Sequence, residues 1–213
     1  MKELVLVIPA FNEASQIYNV VASACEYADV IVIDDGSTDK TAMLAETAGA
    51  YVIKHSQNKG YEAALSSGVL VAKERGYVYA LTLDADGQHD PRIIESFIIE
   101  LNLGCDLIIG YRDKLQRWSE VLFAKLGLVL WGVRDPLCGM KLYRLGWLDK
   151  FGGFDTKKLV GTELAVRMIK NGALFRQIPI NTRPRFGESR FGEGLMPNLK
   201  IIRALLILIL IPK

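Results

Sequence analysis

The 213 residues are enough for one large α/β domain and too few for two independent ones. Half are hydrophobic and 23% charged, which excludes a disordered chain and is apolar for a freely soluble one. With 26 basic against 24 acidic residues the net charge is only +2, too even for a chain that grips nucleic acid by charge, so no nucleic-acid partner is expected.

The opening Met1-Lys2-Glu3-Leu4 leads straight into an apolar run, without the zones of a signal peptide, which argues against export. Strand-like runs then follow at Leu4–Ile8, Val30–Ile33, Tyr51–Ile53, Tyr77–Leu83 and Leu107–Gly110, with helix-length stretches between them. This alternation predicts an α/β fold with a mostly parallel sheet flanked by helices. Such sheets bind ligands outside the carboxyl ends of their strands.

The first strand ends in Pro9-Ala10-Phe11-Asn12-Glu13, where an aromatic and an acid can hold a nucleobase and its ribose, or Glu13 can simply favour a helix N-terminus. The second ends in Asp34-Asp35-Gly36-Ser37-Thr38-Asp39, with adjacent carboxylates able to accept hydrogen bonds from base or ribose. Ser37 or Thr38 is expected to cap a helix closing near Gly49. The fourth delivers Asp84-Ala85-Asp86-Gly87-Gln88, two carboxylates and an amide that suit Mg²⁺ or Mn²⁺ bridging to a diphosphate; an acidic turn is the plainer reading. Three polar strand ends together favour the chemical reading. His89 adjoins the metal motif and can touch phosphate, while His55 reads as a loop residue. Pro91 opens a helix through Ile93, Ile94, Phe97, Ile98 and Leu101.

Beyond Tyr111 the pattern weakens. An amphipathic stretch from Arg117 to Trp131 predicts a helix over about 115–132, with Trp118 and Trp131 bracketing leucines and valines as at a membrane interface. Near the end, Ile201–Ile211 is apolar except for Arg203 and spans only ~16 Å as a helix, too short for a hydrocarbon core of ~30 Å. Residues 195–213 are therefore read as a helix after a catalytic domain of residues 1–194, either packed on it or touching a membrane, with membrane contact preferred. Cys25, Cys105 and Cys138 lack metal-site spacing and fit reduced thiols.

The ordered fragments Pro9-Ala10-Phe11-Asn12-Glu13, Asp34-Asp35-Gly36-Ser37-Thr38-Asp39 and Asp84-Ala85-Asp86 resemble, in combination, the family 2 glycosyltransferases with their GT-A fold. The likeness runs from about Leu4 to Arg190 and includes Asn58-Lys59-Gly60-Tyr61, which looks like the family's entry into its third helix. Asp135-Pro136-Leu137-Cys138-Gly139-Met140 resembles the Asp-x-x-Ser-Gly-Phe segment of the dolichyl- and polyprenyl-phosphate hexosyltransferases, with Cys138 and Met140 departing from it. The segment from Arg183 to Arg190 looks like their Arg-x-x-Gly-Glu-Ser-Lys loop, with Arg190 in place of Lys.

This resemblance implies a metal and donor-phosphate site at Asp84, Asp86 and Gln88, and donor contacts from Pro9, Phe11, Glu13, Asp34, Asp35 and Arg190. It places Asp135 and the basic residues Arg112, Arg117, Arg134 and Arg185 around the reacting phosphates, leaves the backbone N–H of Cys138 open to phosphate, and sets Glu163 near the sugar pocket, with a first-turn Glu favoured by the helix dipole as the plain alternative. The implied reaction is metal-dependent inverting transfer of a hexose from a nucleotide sugar of GDP-mannose or UDP-glucose type to a dolichyl or polyprenyl phosphate, at the cytoplasmic face of a membrane. Transfer to a saccharide acceptor is the alternative, with Asp135 then a candidate base. A sugar nucleotidyltransferase fits less well, because no glycine follows the first strand, and neither GxGxxG nor GxxxxGK[ST] occurs to support a simple nucleotide-binding module.

Overall fold

The computed structural model describes residues 2–115, 117–154, 159, 161–181 and 195–211. Four parallel strands form its first half: β1 (Lys2–Ala10), β2 (Asp29–Asp34), β3 (Tyr51–Lys54) and β4 (Tyr77–Thr82). Helices α1 (Ile17–Cys25), α2 (Thr41–Thr47) and α3 (Tyr61–Glu74) connect them. The second half adds α4 (Ile93–Asn102), β5 (Leu107–Arg112), α5 (Trp118–Trp131), β6 (Lys141–Arg144), α6 (Trp147–Phe151), α7 (Thr162–Lys170), β7 (Phe175–Ile180) and α8 (Leu195–Leu210).

All seven strands join one sheet in the order β3-β2-β1-β4-β6-β5-β7. Only β6 runs against its neighbours, β4 and β5. Because successive side chains point to opposite faces, Val5 and Val7 enter one core with Ile31, Ile33 and the inner faces of α3, α5, α7 and α8. Leu6 and Ile8 enter the other with Val30, Val32, α1 and α4. Burial on both faces explains why β1 and β2 read as unbroken apolar runs.

Two sequence expectations change. Neither Ser37 nor Thr38 caps α2, which begins at Thr41 with Lys40 before it and no side-chain cap; their hydroxyls turn toward the β1 loop instead. The weakened pattern beyond Tyr111 hides two strands. Strand β6 carries Lys141, fully buried, whose ammonium donates to the Cys138 carbonyl. Strand β7 includes Pro179 and lies at the sheet edge, where a missing N–H is tolerated.

Helices α5 and α8 pack against each other, with Ser119 Oγ 2.6 Å from Asn198 Oδ1 between them. Leu205, Leu208 and Ile211 of the terminal segment belong to the core, while Met196, Leu199, Leu206 and Leu210 face outward. The outer side of α5 is likewise apolar, with Trp118, Leu128, Val129 and Leu130 exposed. Among the described residues no helix is long and apolar enough to cross a membrane.

Helix α3 approaches the sheet closely at Gly68, where a Cβ would clash with Val7 Cγ1 and lie 3.1 Å from Ile33 Cγ1. Both neighbours are buried and β-branched, so they have little room to turn aside. Gly68→Ala should therefore lower unfolding free energy by about 1–3 kcal/mol, measured by urea denaturation.

Candidate active site

Strand β1 pairs in parallel with β2 and β4, so the carboxyl ends of all three strands lie side by side. The loops leaving β1 and β2 are clasped together. Asn12 adopts φ 53° and its N–H donates to Ser37 Oγ (2.9 Å), while its side-chain oxygen accepts the Thr38 N–H (2.9 Å). Glu13 N–H donates to Thr41 Oγ1 (2.8 Å) and Ala14 N–H to Asp39 Oδ2 (3.1 Å). Burial raises the Asp39 pKa, but the hydrogen bonds from Thr41 and Ala14 outweigh it and the net shift is downward, so this clasp is ionised. Phe11 projects from it, 42% exposed, available as an apolar platform.

Asp34 Oδ1 accepts the Ser37 N–H (3.2 Å). Asp35 turns inward. Its carboxylate accepts the N–H groups of Lys59 (2.9 Å) and Gly60 (2.8 Å), and His55 Nδ1 lies 2.6 Å away. His55 Nε2 is 3.1 Å from Ser67 Oγ on α3. Asp35 thus organises the loop that enters α3, and His55, read from sequence as a loop residue, is nearly buried beside it.

At the end of β4, Asp84 Oδ1 accepts the Tyr61 hydroxyl (2.8 Å), and its Oδ2 is 3.8 Å from His89 Nε2. Asp86 is buried and its Oδ1 accepts the Gln88 N–H (3.1 Å). Among the described residues no group of three His, Cys, Asp or Glu forms a closed metal cage. Asp84, partly exposed, and the buried Asp86 at this strand end would suit instead a hard cation that completes its shell with ligand oxygens and water. The Asp135–Met140 segment closes the other side, since Thr82 Oγ1 donates to the Gly139 carbonyl (2.6 Å) and accepts the Lys141 N–H (3.0 Å).

Beside this corner Arg112 grips Asp135. Its Nε lies 2.7 Å from Oδ2 and its Nη2 3.1 Å from Oδ1, and its backbone N–H also points to Oδ2 (3.2 Å). Burial lowers the arginine's pKa, but the aspartate more than offsets this and the net shift is upward. Burial, reinforced by Asp135, pushes the Cys138 thiol up to about 12. Cys138 N–H donates to the Asp135 carbonyl (3.2 Å), so it is not open to phosphate as the sequence suggested. Arg134 is exposed with its guanidinium 4.9 Å from the Tyr111 ring centroid, and Arg117 lies 3.6 Å from Glu120.

The sequence profile of Glycosyl transferase family 2 matches residues 5–120, which contain the clasp, the Asp35 loop and the Asp84–Asp86 corner. The chain belongs to that family. The dolichyl-phosphate hexose transferase of Haloferax volcanii is 29% identical to this glycosyltransferase over 96% of the present chain and 94% of its own. The polyprenol monophosphomannose synthase of Mycolicibacterium smegmatis is 27% identical over 94% and 83%. Among solved structures, glucosyl-3-phosphoglycerate synthase of Mycobacterium tuberculosis in complex with Mn²⁺, UDP and glucosyl-3-phosphoglycerate superposes with TM-score 0.76 at 21% identity, covering all of this chain and 81% of that one. The fold is GT-A.

In this glycosyltransferase the residues singled out from sequence fall into four groups. Pro9, Phe11, Glu13, Asp34, Asp35, Asp84, Asp86 and Gln88 gather at the adjoining ends of β1, β2 and β4. Asp135, Arg117 and Arg134 lie in the second half, and Asp135 serves there as the counter-ion of Arg112. Glu163, on α7, is paired with Arg167 (2.9 Å). Arg183, Arg185 and Arg190 lie outside the described residues. Sequence reading included Tyr61 in the recognised entry into α3 but not its bond to Asp84, and it overlooked Lys141, whose burial no local pattern announces.

The Arg112–Asp135 pair yields a direct test. Removing one member of a buried pair leaves the other charge uncompensated, so Asp135→Ala should cost about 3–5 kcal/mol of stability and lower the urea midpoint. A variant with an unchanged midpoint would show that the pair does not hold this segment.

Proposed function

We propose that this glycosyltransferase moves a hexose from a GDP-mannose- or UDP-glucose-type donor to a dolichyl or polyprenyl phosphate, at a membrane surface and with a divalent cation. The observation that carries the proposal is the convergence of Asp84, Asp86 and the clasped β1–β2 loops at one strand-end corner. Phe11 and Glu13 line the nucleoside side, with Asp34 beside them, while Asp35 shapes the loop. Mg²⁺ or Mn²⁺ at Asp84 and Asp86, beside Gln88, would neutralise the donor diphosphate and ease its departure.

In the reaction an anionic phosphate oxygen of the acceptor bonds to the anomeric carbon as the bond to the nucleoside diphosphate breaks, with inversion. A phosphate is already ionised at neutral pH, so no side chain need take a proton. This agrees with an Asp135 held by Arg112 rather than set to act as a base. Arg134 and Arg117 are assigned to the acceptor phosphate, and Arg185 and Arg190, which lie outside the described residues, to the donor diphosphate. The relatives named for dolichyl and polyprenol phosphate chemistry support this acceptor.

Membrane contact rests on the outer faces of α5 and α8, where exposed Trp118, Val129, Leu206 and Leu210 are interspersed with exposed Lys125, Lys200 and Arg203. Apolar side chains with basic neighbours suit an anionic surface, on the cytoplasmic side if the thiols are kept reduced.

The cation requirement predicts that EDTA abolishes transfer and that Asp86→Ala lowers it by at least about a hundred-fold, measured with radiolabelled donor. Full turnover in metal-free buffer would overturn that part. Liposomes of anionic lipid should sediment the protein, Val129→Glu with Leu206→Glu should release it, and label should enter the polyprenyl phosphate fraction. Comparable transfer to a soluble sugar or to phosphoglycerate would overturn the lipid acceptor.

A further inference from the structure

The loop into α3 reaches from one half of the site to the other. Asp35, at the end of β2, takes the N–H groups of Lys59 and Gly60 on its two oxygens, while His55 braces the carboxylate from behind. The next residue, Tyr61, is the first of α3, and its hydroxyl donates to Asp84 Oδ1 at 2.8 Å, across to the end of β4. The Asp135–Met140 segment closes over the same pair. A Cβ on Gly139 would lie 3.1 Å from Asp84 Oδ2 and 3.3 Å from the Tyr61 hydroxyl, so only a residue without a side chain fits comfortably there. Asp84 is therefore fixed by a tyrosine hydroxyl on one oxygen and by a close backbone wall beside the other.

We propose that Tyr61 is the positioning residue of the cation site. Its hydroxyl holds Asp84 in the rotamer seen here, between Gly139 and His89, from which the carboxylate would meet a divalent cation. The proposal rests on the cation reading of Asp84 and Asp86 given above. Tyr61 does not itself touch the cation or the donor. It acts through Asp84, as partners behind metal ligands do when they fix ligand orientation. Asp35 shares in this at one remove, because the two backbone N–H groups it accepts belong to the two residues immediately before Tyr61. An aspartate assigned from sequence to the nucleotide thereby sets the place of a residue serving the cation.

The test is binding of Mn²⁺ alone, read by the loss of free-ion electron paramagnetic resonance signal, to the full chain without donor or acceptor. Tyr61→Phe keeps the ring and removes only the hydroxyl. It should weaken Mn²⁺ binding about ten-fold or more while leaving the far-ultraviolet circular dichroism and metal-free UDP or GDP binding unchanged. The activity curve against Mn²⁺ should move to higher concentration by a similar factor, with most of the maximal rate recovered at saturation. Gly139→Ala, which crowds the same pair from the opposite side, should weaken Mn²⁺ in the same sense. Equal Mn²⁺ affinity in wild type and Tyr61→Phe overturns the positioning role and leaves the cation reading standing. Failure of the wild-type chain to bind Mn²⁺ overturns both.

Discussion

Strand β1 must satisfy backbone hydrogen bonds along both edges in the middle of the sheet, and it does so with β2 on one side and β4 on the other, all parallel. From that constraint comes the meeting of three loops which in sequence are separated by tens of residues. Parallel strands end on the same side, and the loops that leave them carry N–H groups that no ladder can take. Here the loops satisfy one another: Asn12 with Ser37 and Thr38, Ala14 with Asp39, Lys59 and Gly60 with Asp35. Much of the polar chemistry that looks like a binding site in the sequence therefore first builds the walls of one.

Several carboxylates around this corner are themselves committed to the protein. Asp35, Asp39 and Asp135 accept multiple hydrogen bonds within the chain, from backbone N–H groups, from Thr41 and from Arg112 respectively. Asp84 is partly exposed and accepts the Tyr61 hydroxyl on Oδ1, while Asp86 is buried and accepts the Gln88 N–H of its own turn. Charge buried in the second half is likewise matched close at hand, Lys141 by the Cys138 carbonyl and Glu163 by Arg167. Unmatched burial would cost several kcal/mol for each ion.

What was legible in the sequence was what local pattern can encode. Unbroken apolar runs ending in acids revealed β1, β2 and β4 and, with them, Asp84 and Asp86. Lys141 defeated the pattern because its charge suggests a surface, whereas the structure buries it on the interior strand β6 beneath a carbonyl. The contacts of Tyr61 and His55 were hidden for a different reason: their partners, Asp84 and Asp35, are 23 and 20 residues distant, and nothing in the spacing marks such a pair. The stretch before Asp135 was read correctly as a helix. Its buried Ser119, however, meets Asn198 of α8, far along the chain, and Trp131, expected at a membrane interface, is buried in the core.

The placement of β6 bears on how the chain is assembled during synthesis. Strands β1 to β4 are complete once residue 82 has emerged, and each finds a neighbour among the others. Strand β5 follows them but cannot join their edge, since the place beside β4 belongs to β6, which emerges about thirty residues later. Both of its eventual neighbours, β6 and β7, are downstream. The ribosome thus delivers an apolar strand, Leu107-Ile108-Ile109, that must wait unpaired while the edge of β4 stands open beside it. A parallel pairing of β5 with β4 is the wrong partnership this strand order leaves open until the antiparallel Lys141–Arg144 segment takes the place between them.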